Sequence, residues 1–396
     1  MSIKFYTSLH YSQFCKRAAA RQYVVPGGVD VIPDGTIVNA HERGFGVFDA
    51  DGRFVAASAQ MRGRRHQFVP SVPEKVPYLD MDVVYFGNVY PHFGHFLLEH
   101  MNRAWGVLRD EMRELPIVLV NNQNINPVPK YIYDLLDCLG IARDNIIILN
   151  ETARFRNVYI PHQAFNIPFY WTDDFVKAYE YMASRTTGYS YEKIYVSRAK
   201  LSHGKTYGEE KIQQIFADNG FHIIYPETLS LREQISFMKN CRVLAGCAGT
   251  ALHLGLFMRG GGTVIQIKRN RKTKDSFDVQ NMINSAKGHN GIYIAASVEP
   301  VRTQHSTNMP QIIGLTKHLR KFFDENGFKY DSSLVAPDAL DKDAYATAMA
   351  QFRATSSSPF VYNVKKLVIK LVACFIPGRV RRGRVRQRMK RWLTHN

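Results

Sequence analysis

From Asp82 onward, short β-rich runs alternate with helical periods, and this alternation leaves few folds open to the chain. "VVYF", "PIVLVN", "NIIIL" and "NVYI" are separated by helical spacing near 93–110, 127–139 and 172–187. A second series begins at "KIYVSR". It continues with helices around 208–218, 230–240 and 250–258 that separate "FHIIYP", "RVLAGC" and "GTVIQIK". Parallel strands need a crossover connection, so such alternation builds parallel sheets covered by helices. Two arrays in succession predict an α/β protein of two Rossmann-like domains facing across a cleft, with ligands in the crevice at the carboxyl ends of the strands. On this reading the chain divides into a partly β extension at 1–80, Rossmann-like domains at 81–190 and 191–300, closing helices at 301–352, and a linker with a basic tail at 353–396. Within the extension, Asp51-Gly52 between two apolar runs marks a hairpin.

The net charge of +18 invites a nucleic-acid reading, and its distribution argues against one. No acid follows Asp343, while the remaining residues hold 12 Lys and Arg. The rest of the chain is only mildly basic, few aromatics are available in the tail to stack on bases, and no nucleic-acid module is visible. The five cysteines are scattered without CxxC spacing, so neither a disulfide framework nor a zinc ribbon is expected. Lys4, Lys16 and Arg17 interrupt the first twenty residues, which lack the apolar core of a signal peptide. The expected compartment is the cytoplasm.

Three constellations carry chemistry. The first is "GNVYPHFGHFLLEHMNRAW" at 87–105, where His95 and Glu99 are four residues apart on an expected helix and Arg103 lies one turn further on. A histidine and a carboxylate on one face just after a strand suit a general base, His95 first and Glu99 as its orienter or as the base itself. A helix-end histidine beside a surface Glu–Arg pair is the plain alternative, and His92, His95 and Glu99 match no strong zinc spacing. The second is "IYVSRAKLSHGKTYGEEKI", where Arg198, Lys200, His203 and Lys205 follow a strand and form an expected anion clamp. The third is "LAGCAGTALHLGLF", where Gly246, Ala248, Gly249 and Thr250 open a helix whose N–H groups suit a diphosphate, with His253 on its first turn. It is neither a Walker A loop nor GxGxxG. The Asp80-x-Asp82 spacing is a weak alternative seat for a divalent cation.

In this order the three blocks resemble the family 61 glycosyltransferases, a group that includes eukaryotic xylosyl- and GlcNAc-transferases and bacterial capsule and lipopolysaccharide enzymes. "HFGHFLLE" is similar to the family's segment with His and an acid four residues on, here His95 and Glu99. Ser197-Arg198 is similar to its "SR" strand end, and Lys205 with Glu209 to the basic-then-acidic pattern that follows. "PETLSLREQ", with Glu227, and "GCAGTALHLGLF" are similar to its last two motifs. The resemblance spans about 80–270 and departs at Leu254, where the family often has Asn, and at Ala248, often larger or polar. It implies a GT-B fold and an inverting transfer from a nucleotide sugar to a glycan hydroxyl, without a metal cofactor. It also implies His95 and Glu99 as catalytic residues, and Arg198, Lys205, Glu227, Gly249, Thr250 and His253 as donor-binding residues. The two departures keep open a non-catalytic binding or scaffold protein of the same pathway.

The tail at 361–396 adds a last expectation. Val364, Leu367, Val368, Leu371, Val372 and Phe375 fall at helical spacing, Pro377-Gly378 breaks the pattern, and arginines then surround Val385, Met389, Trp392 and Leu393. That is the pattern of a basic helix lying in an anionic membrane interface, too short and too charged to span it. A terminal helix docked on the body is the alternative. The expected location is therefore cytoplasmic and peripheral on the inner face of the cell membrane.

Overall fold

The computed structural model describes residues 1–7, 27–41, 44–61, 71–167, 169–201, 204–269, 277–298, 309–333 and 339–355. The chain opens with β1 (Ile3–Tyr6), then β2 (Val29–Pro33), β3 (Thr36–Asn39) and β4 (Phe45–Phe48). The first alternating series supplies β5 (Tyr78–Asn88), β6 (Ile117–Val120), β7 (Ile146–Leu149) and β8 (Ala153–Pro161), followed by the short ribbon β9 (Phe165–Asn166) and β10 (Tyr170–Trp171). The second supplies β11 (Lys193–Val196), β12 (Thr206–Tyr207), β13 (His222–Ile224), β14 (Val243–Cys247), β15 (Thr263–Lys268), β16 (Asn290–Ala295) and β17 (Gln311–Ile312).

Both alternating series form parallel sheets. In the first sheet β7, β6, β5 and β8 lie side by side and parallel, while β2, β3 and β4 extend it antiparallel beyond β8. Counted in chain order, the four parallel strands run 3-2-1-4, so the order reverses between β5 and β8. The second sheet runs β13-β11-β14-β15-β16-β1 and is parallel throughout, a 2-1-3-4-5 order that reverses between β11 and β14, with β1 added at the far edge. Helices and loops at such reversals diverge to opposite faces and leave a crevice at the strand ends. The 1–80 segment does not stand as a separate layer, because its strands divide between the two sheets.

The apolar runs explain why these strands are central. β5 is buried from Val83 onward and β6 along its whole length, as expected of parallel strands covered on both faces. The helix Leu231–Lys239 starts with a reciprocal cap between Ser230 and Glu233, visible in the sequence as Ser-x-x-Glu. The Asp51-Gly52 hairpin forms, with Gly52 at φ +75° and Phe48 paired to Phe54. One hydrophobic cluster runs from Val84, Phe86 and Leu119 under the first sheet to Ile194, Leu244 and Leu256 under the second, so the two sheets share a core. Tyr179 on the helix Asp173–Ser184 joins it by donating to the Leu97 carbonyl and packing 5.5 Å from Phe257. Ion pairs Lys287–Glu180 and Arg232–Asp137, both 2.8 Å, cross the same seam.

Gly246 has a structural task in this arrangement. It pairs with Val196 in the β11–β14 register, and a Cβ there would lie 2.6 Å from the Val196 carbonyl oxygen. That contact is with backbone and cannot be relieved by a rotamer. Gly246→Ala is expected to cost about 1–3 kcal/mol of stability, as overpacking in a tight core does, read as a lowered melting temperature in thermal unfolding. An unchanged melting temperature would show that the two strands part easily.

The expected helix at 93–110 is not continuous. One α-turn at Phe93–His95 widens into a π-turn at Phe96–His100, and a 3₁₀ stretch follows at Ala104–Leu108. All five π-turn residues are buried, and the Glu99 carbonyl is taken by the side chains of Gln60 and Asn102. That carbonyl is lost to the ladder, the Met101 N–H reaches back to Phe96, and regular helix ends. The expected helix at 250–258 is a 3₁₀ stretch, Thr250–Phe257. Among the described residues no helix is long and apolar enough to cross a membrane. The tail at 356–396 and its membrane-facing pattern lie outside the described residues.

Candidate active site

The first constellation grows from the carboxyl end of β5, beside the order reversal of the first sheet. The chain turns through Tyr90-Pro91, and the His92 carbonyl accepts the first helical bond from Phe96. His95 Nδ1 lies 2.5 Å from Glu99 Oε1, and the two side chains are 32% and 11% exposed. A carboxylate on Nδ1 fixes the tautomer that leaves Nε2 free to accept a proton, and it stabilises the imidazolium that results. Tyr90 meets the His95 ring edge-on at 5.4 Å and stacks on His100 at 4.9 Å. Burial pushes the His100 pKa down to about 3, so this ring is neutral and serves packing. His92, 4.9 Å from His95, is also held below its ordinary value, by burial first and then by the neighbouring imidazole.

Arg103 does not share the His95 face. It is wholly buried, donating to the Pro161 carbonyl at 2.6 Å and the Ala59 carbonyl at 3.0 Å, and it tethers the strand ends beneath the site.

The second and third constellations meet at the order reversal of the other sheet. Arg198 follows β11, and its guanidinium approaches Gly249 so closely that a Cβ there would lie 2.8 Å from Nη1. Thr250 begins the 3₁₀ stretch, and Gly94 of the first constellation packs onto it: a Cβ at Gly94 would fall 2.6 Å from Thr250 Cγ2. Two glycines thus let the His95 turn, the Gly249-Thr250 turn and Arg198 close on one another. His253 completes the contact. Burial lowers its pKa to about 4, the Gln280 side chain 3.1 Å away supports its charged form, and His95 and His92 disfavour it.

The remaining expected residues are spread along the same carboxyl edge. Lys205 leads into β12, with its ammonium 5.3 Å from the Tyr207 ring centre, and Lys200 sits 4.0 Å over Tyr225. Glu227 is exposed just after β13. His203 lies outside the described residues. Asp80 and Asp82 stand near the start of β5, far from its carboxyl end, and both bind Arg156, at 3.3 and 2.8 Å. This aspartate pair is bridged by a guanidinium and stands away from the carboxyl end of β5. Leu254, one of the two departures, is fully buried in the shared core, so its side chain faces packing. Ala248, the other, contributes a backbone carbonyl that accepts Arg269 Nε at 2.8 Å.

Two groups escaped sequence reasoning as site residues. Arg269 follows β15, is 7% exposed, and also donates to the Gly204 carbonyl at 3.1 Å, so it joins the Gly249 turn to the Arg198 loop. Glu209 is entirely buried at the start of the helix Glu209–Asp218 and accepts the Arg198 backbone N–H at 3.1 Å. Its signal was the basic-then-acidic pattern it forms with Lys205, which gave it no role of its own.

Two parallel sheets whose reversal points converge on a His–Glu pair and a partly buried arginine define an α/β protein built to hold a ligand between strand ends. Residues 93–265 match the family model described as Glycosyltransferase 61, so over that region the chain is similar to this family. The matched region contains His95, Glu99, Arg198, Lys205, Glu227, Gly249, Thr250 and His253. Asp80 and Asp82 fall outside it, as does the tail. No curated protein matches the chain.

Proposed function

We propose that the protein is an inverting glycosyltransferase of GT-B type that moves a hexosyl or pentosyl group from a nucleotide sugar to a hydroxyl of a cell-surface glycan of capsule or lipopolysaccharide type. The observation that carries this reading is the packing of the His95–Glu99 turn onto the Gly249-Thr250 turn and Arg198, through Gly94 and Gly249. A base from one sheet and an anion seat from the other thus stand against each other. In a single displacement the acceptor oxygen attacks the anomeric carbon as the bond to the diphosphate breaks, and the acceptor proton passes to His95 Nε2. Glu99 holds the imidazolium. Arg198 and the backbone N–H groups at 249–250 stabilise the departing diphosphate, with Lys205, Glu227 and His253 lining the donor side. The leaving charge meets cations and N–H dipoles, so the reading includes no metal cofactor. The basic tail would hold the enzyme on an anionic cytoplasmic leaflet near lipid-linked acceptors, each cation contributing about 1 kcal/mol.

A thermal-shift panel of UDP-, GDP- and dTDP-sugars tests the donor. A nucleotide sugar at 100 times its dissociation constant adds about 2.7 kcal/mol of stability and should raise the melting temperature measurably. A panel in which every nucleotide sugar leaves the transition unmoved at millimolar concentration would remove this reading.

A further inference from the structure

We propose that Glu209 is the positioning residue of the diphosphate clamp, and that it takes up one proton from solvent when a donor diphosphate engages Arg198 and returns it when the diphosphate leaves. The proposal rests on the donor reading above and deepens it.

The geometry is that of a buried carboxylate placed behind the cation it serves. Glu209 is wholly buried, yet its Oε1 accepts the Arg198 backbone N–H at 3.1 Å and the Tyr195 hydroxyl at 3.3 Å. Among the described residues its Oε2 has no hydrogen-bond partner, and neither has the buried Arg198 Nε. A buried carboxylate and a buried guanidinium nitrogen that each lack a partner are costly unless something compensates them. A diphosphate at the Gly249 turn would satisfy the arginine and remove the charge that favours ionised Glu209. A proton on Oε2 would then satisfy the carboxyl.

The groups facing Glu209 come from four places. Tyr195 on β11 and Cys247 on β14 are both pushed far up by burial and stay neutral. Arg198 after β11 and Arg269 after β15 are the cations that pull the carboxyl toward its charged form. On its own helix, Glu210 is exposed and Lys211 is paired with Asp341 at 3.2 Å. Burial outweighs both arginines and raises the Glu209 pKa to about 7. Neutralising Arg198 raises it further. Arg269 stays bound to the Ala248 and Gly204 carbonyls, so the turn and the loop keep their shape while the proton comes and goes.

The sign follows from linkage. A site that binds protons together with ligand weakens as pH rises, here above about 7, by up to about tenfold in dissociation constant per pH unit. A nucleotide sugar carries its two phosphate charges unchanged over this range, so the slope belongs to the protein. The apo protein reports separately. The folded carboxyl binds its proton to a higher pH than the unfolded one, so the Glu209 contribution to stability falls between about 4.5 and 7 and then levels.

The test compares wild type with Glu209→Gln, whose amide oxygen accepts the same N–H. Calorimetry of the panel's best nucleotide sugar, in two buffers of different ionisation enthalpy at pH 7.5, should show proton uptake by wild type and none by the variant. Affinity should fall from pH 6.5 to 8.5 in wild type only. Zero uptake by wild type, a measurement that needs no variant, overturns the proposal, and so does an equal slope in Glu209→Gln. If no nucleotide sugar binds wild type, the donor reading has failed, and melting curves without ligand still decide the role of Glu209. The variant's advantage over wild type should widen from pH 5 to 7 and then stay level; a constant difference overturns the titration.

Discussion

His95→Ala is expected to reduce turnover by about 10²–10⁴-fold, the range for a lost general base, while leaving the melting temperature and donor affinity near wild type. The side chain is a third exposed, so its removal opens no core cavity and leaves no buried partner stranded except Glu99. Glu99 is nearly buried and would lose its contact with Nδ1, and a small loss of stability from this is tolerable beside the kinetic effect. Glu99→Gln should fall between the two, because the amide still touches Nδ1 but no longer stabilises the imidazolium. Steady-state kinetics on the true acceptor, with unfolding curves for each variant, checks all three. Wild-type turnover by His95→Ala would transfer the role of base to another group.

Arg198→Ala is expected to lose about 10²–10³ in rate, or about 2.7–4 kcal/mol of transition-state stabilisation, the size measured when one preorganised donor is removed from a developing oxyanion. The guanidinium stands against the Gly249 turn, where a leaving diphosphate would gather charge. The effect should appear in kcat as well as in nucleoside diphosphate affinity, since the charge grows as the glycosidic bond breaks. Arg198→Lys should recover only part, because an ammonium cannot offer the two parallel N–H groups of the fork. Calorimetry with a nucleoside diphosphate and single-turnover kinetics separate the contributions. Unchanged affinity and rate in Arg198→Ala would remove the clamp.

The strand series and the three constellations were legible because each rests on local rules. Apolar runs of four to six residues, helical spacing and a reciprocal cap at Ser230 all act within a few residues of one another. The geometry of the site was not legible, because it depends on competition over long separations. Regular helix stops after the π-turn at Phe96–His100 because Gln60, 39 residues earlier, takes the Glu99 carbonyl. Arg103 looked like an exposed member of the His95 face and is buried, because two carbonyls from the distant Ala59 and Pro161 capture it. Glu209 stood in the sequence only as the acid of a basic-then-acidic pattern with Lys205, with nothing to say that it is buried. It is buried because the loop carrying Arg198 and the Cys247 strand end close over it, and no spacing within its own helix encodes that.

The strand β1 carries a consequence for how the chain is made. Its backbone pairs with β16, and Ser2 bonds to Asn290, 288 residues further along. At synthesis rates of about 5–20 residues per second, the first strand emerges roughly 15–60 s before its partner does. During that interval both a short apolar strand and, later, the open flank of β16 offer unpaired N–H and C=O groups to any neighbour. The final docking of β1, with Tyr6 donating to Glu325 at 2.8 Å, therefore joins the earliest and some of the latest parts of the described chain in one closing step. A tag fused close to Ile3 would add bulk to the segment that makes that closure.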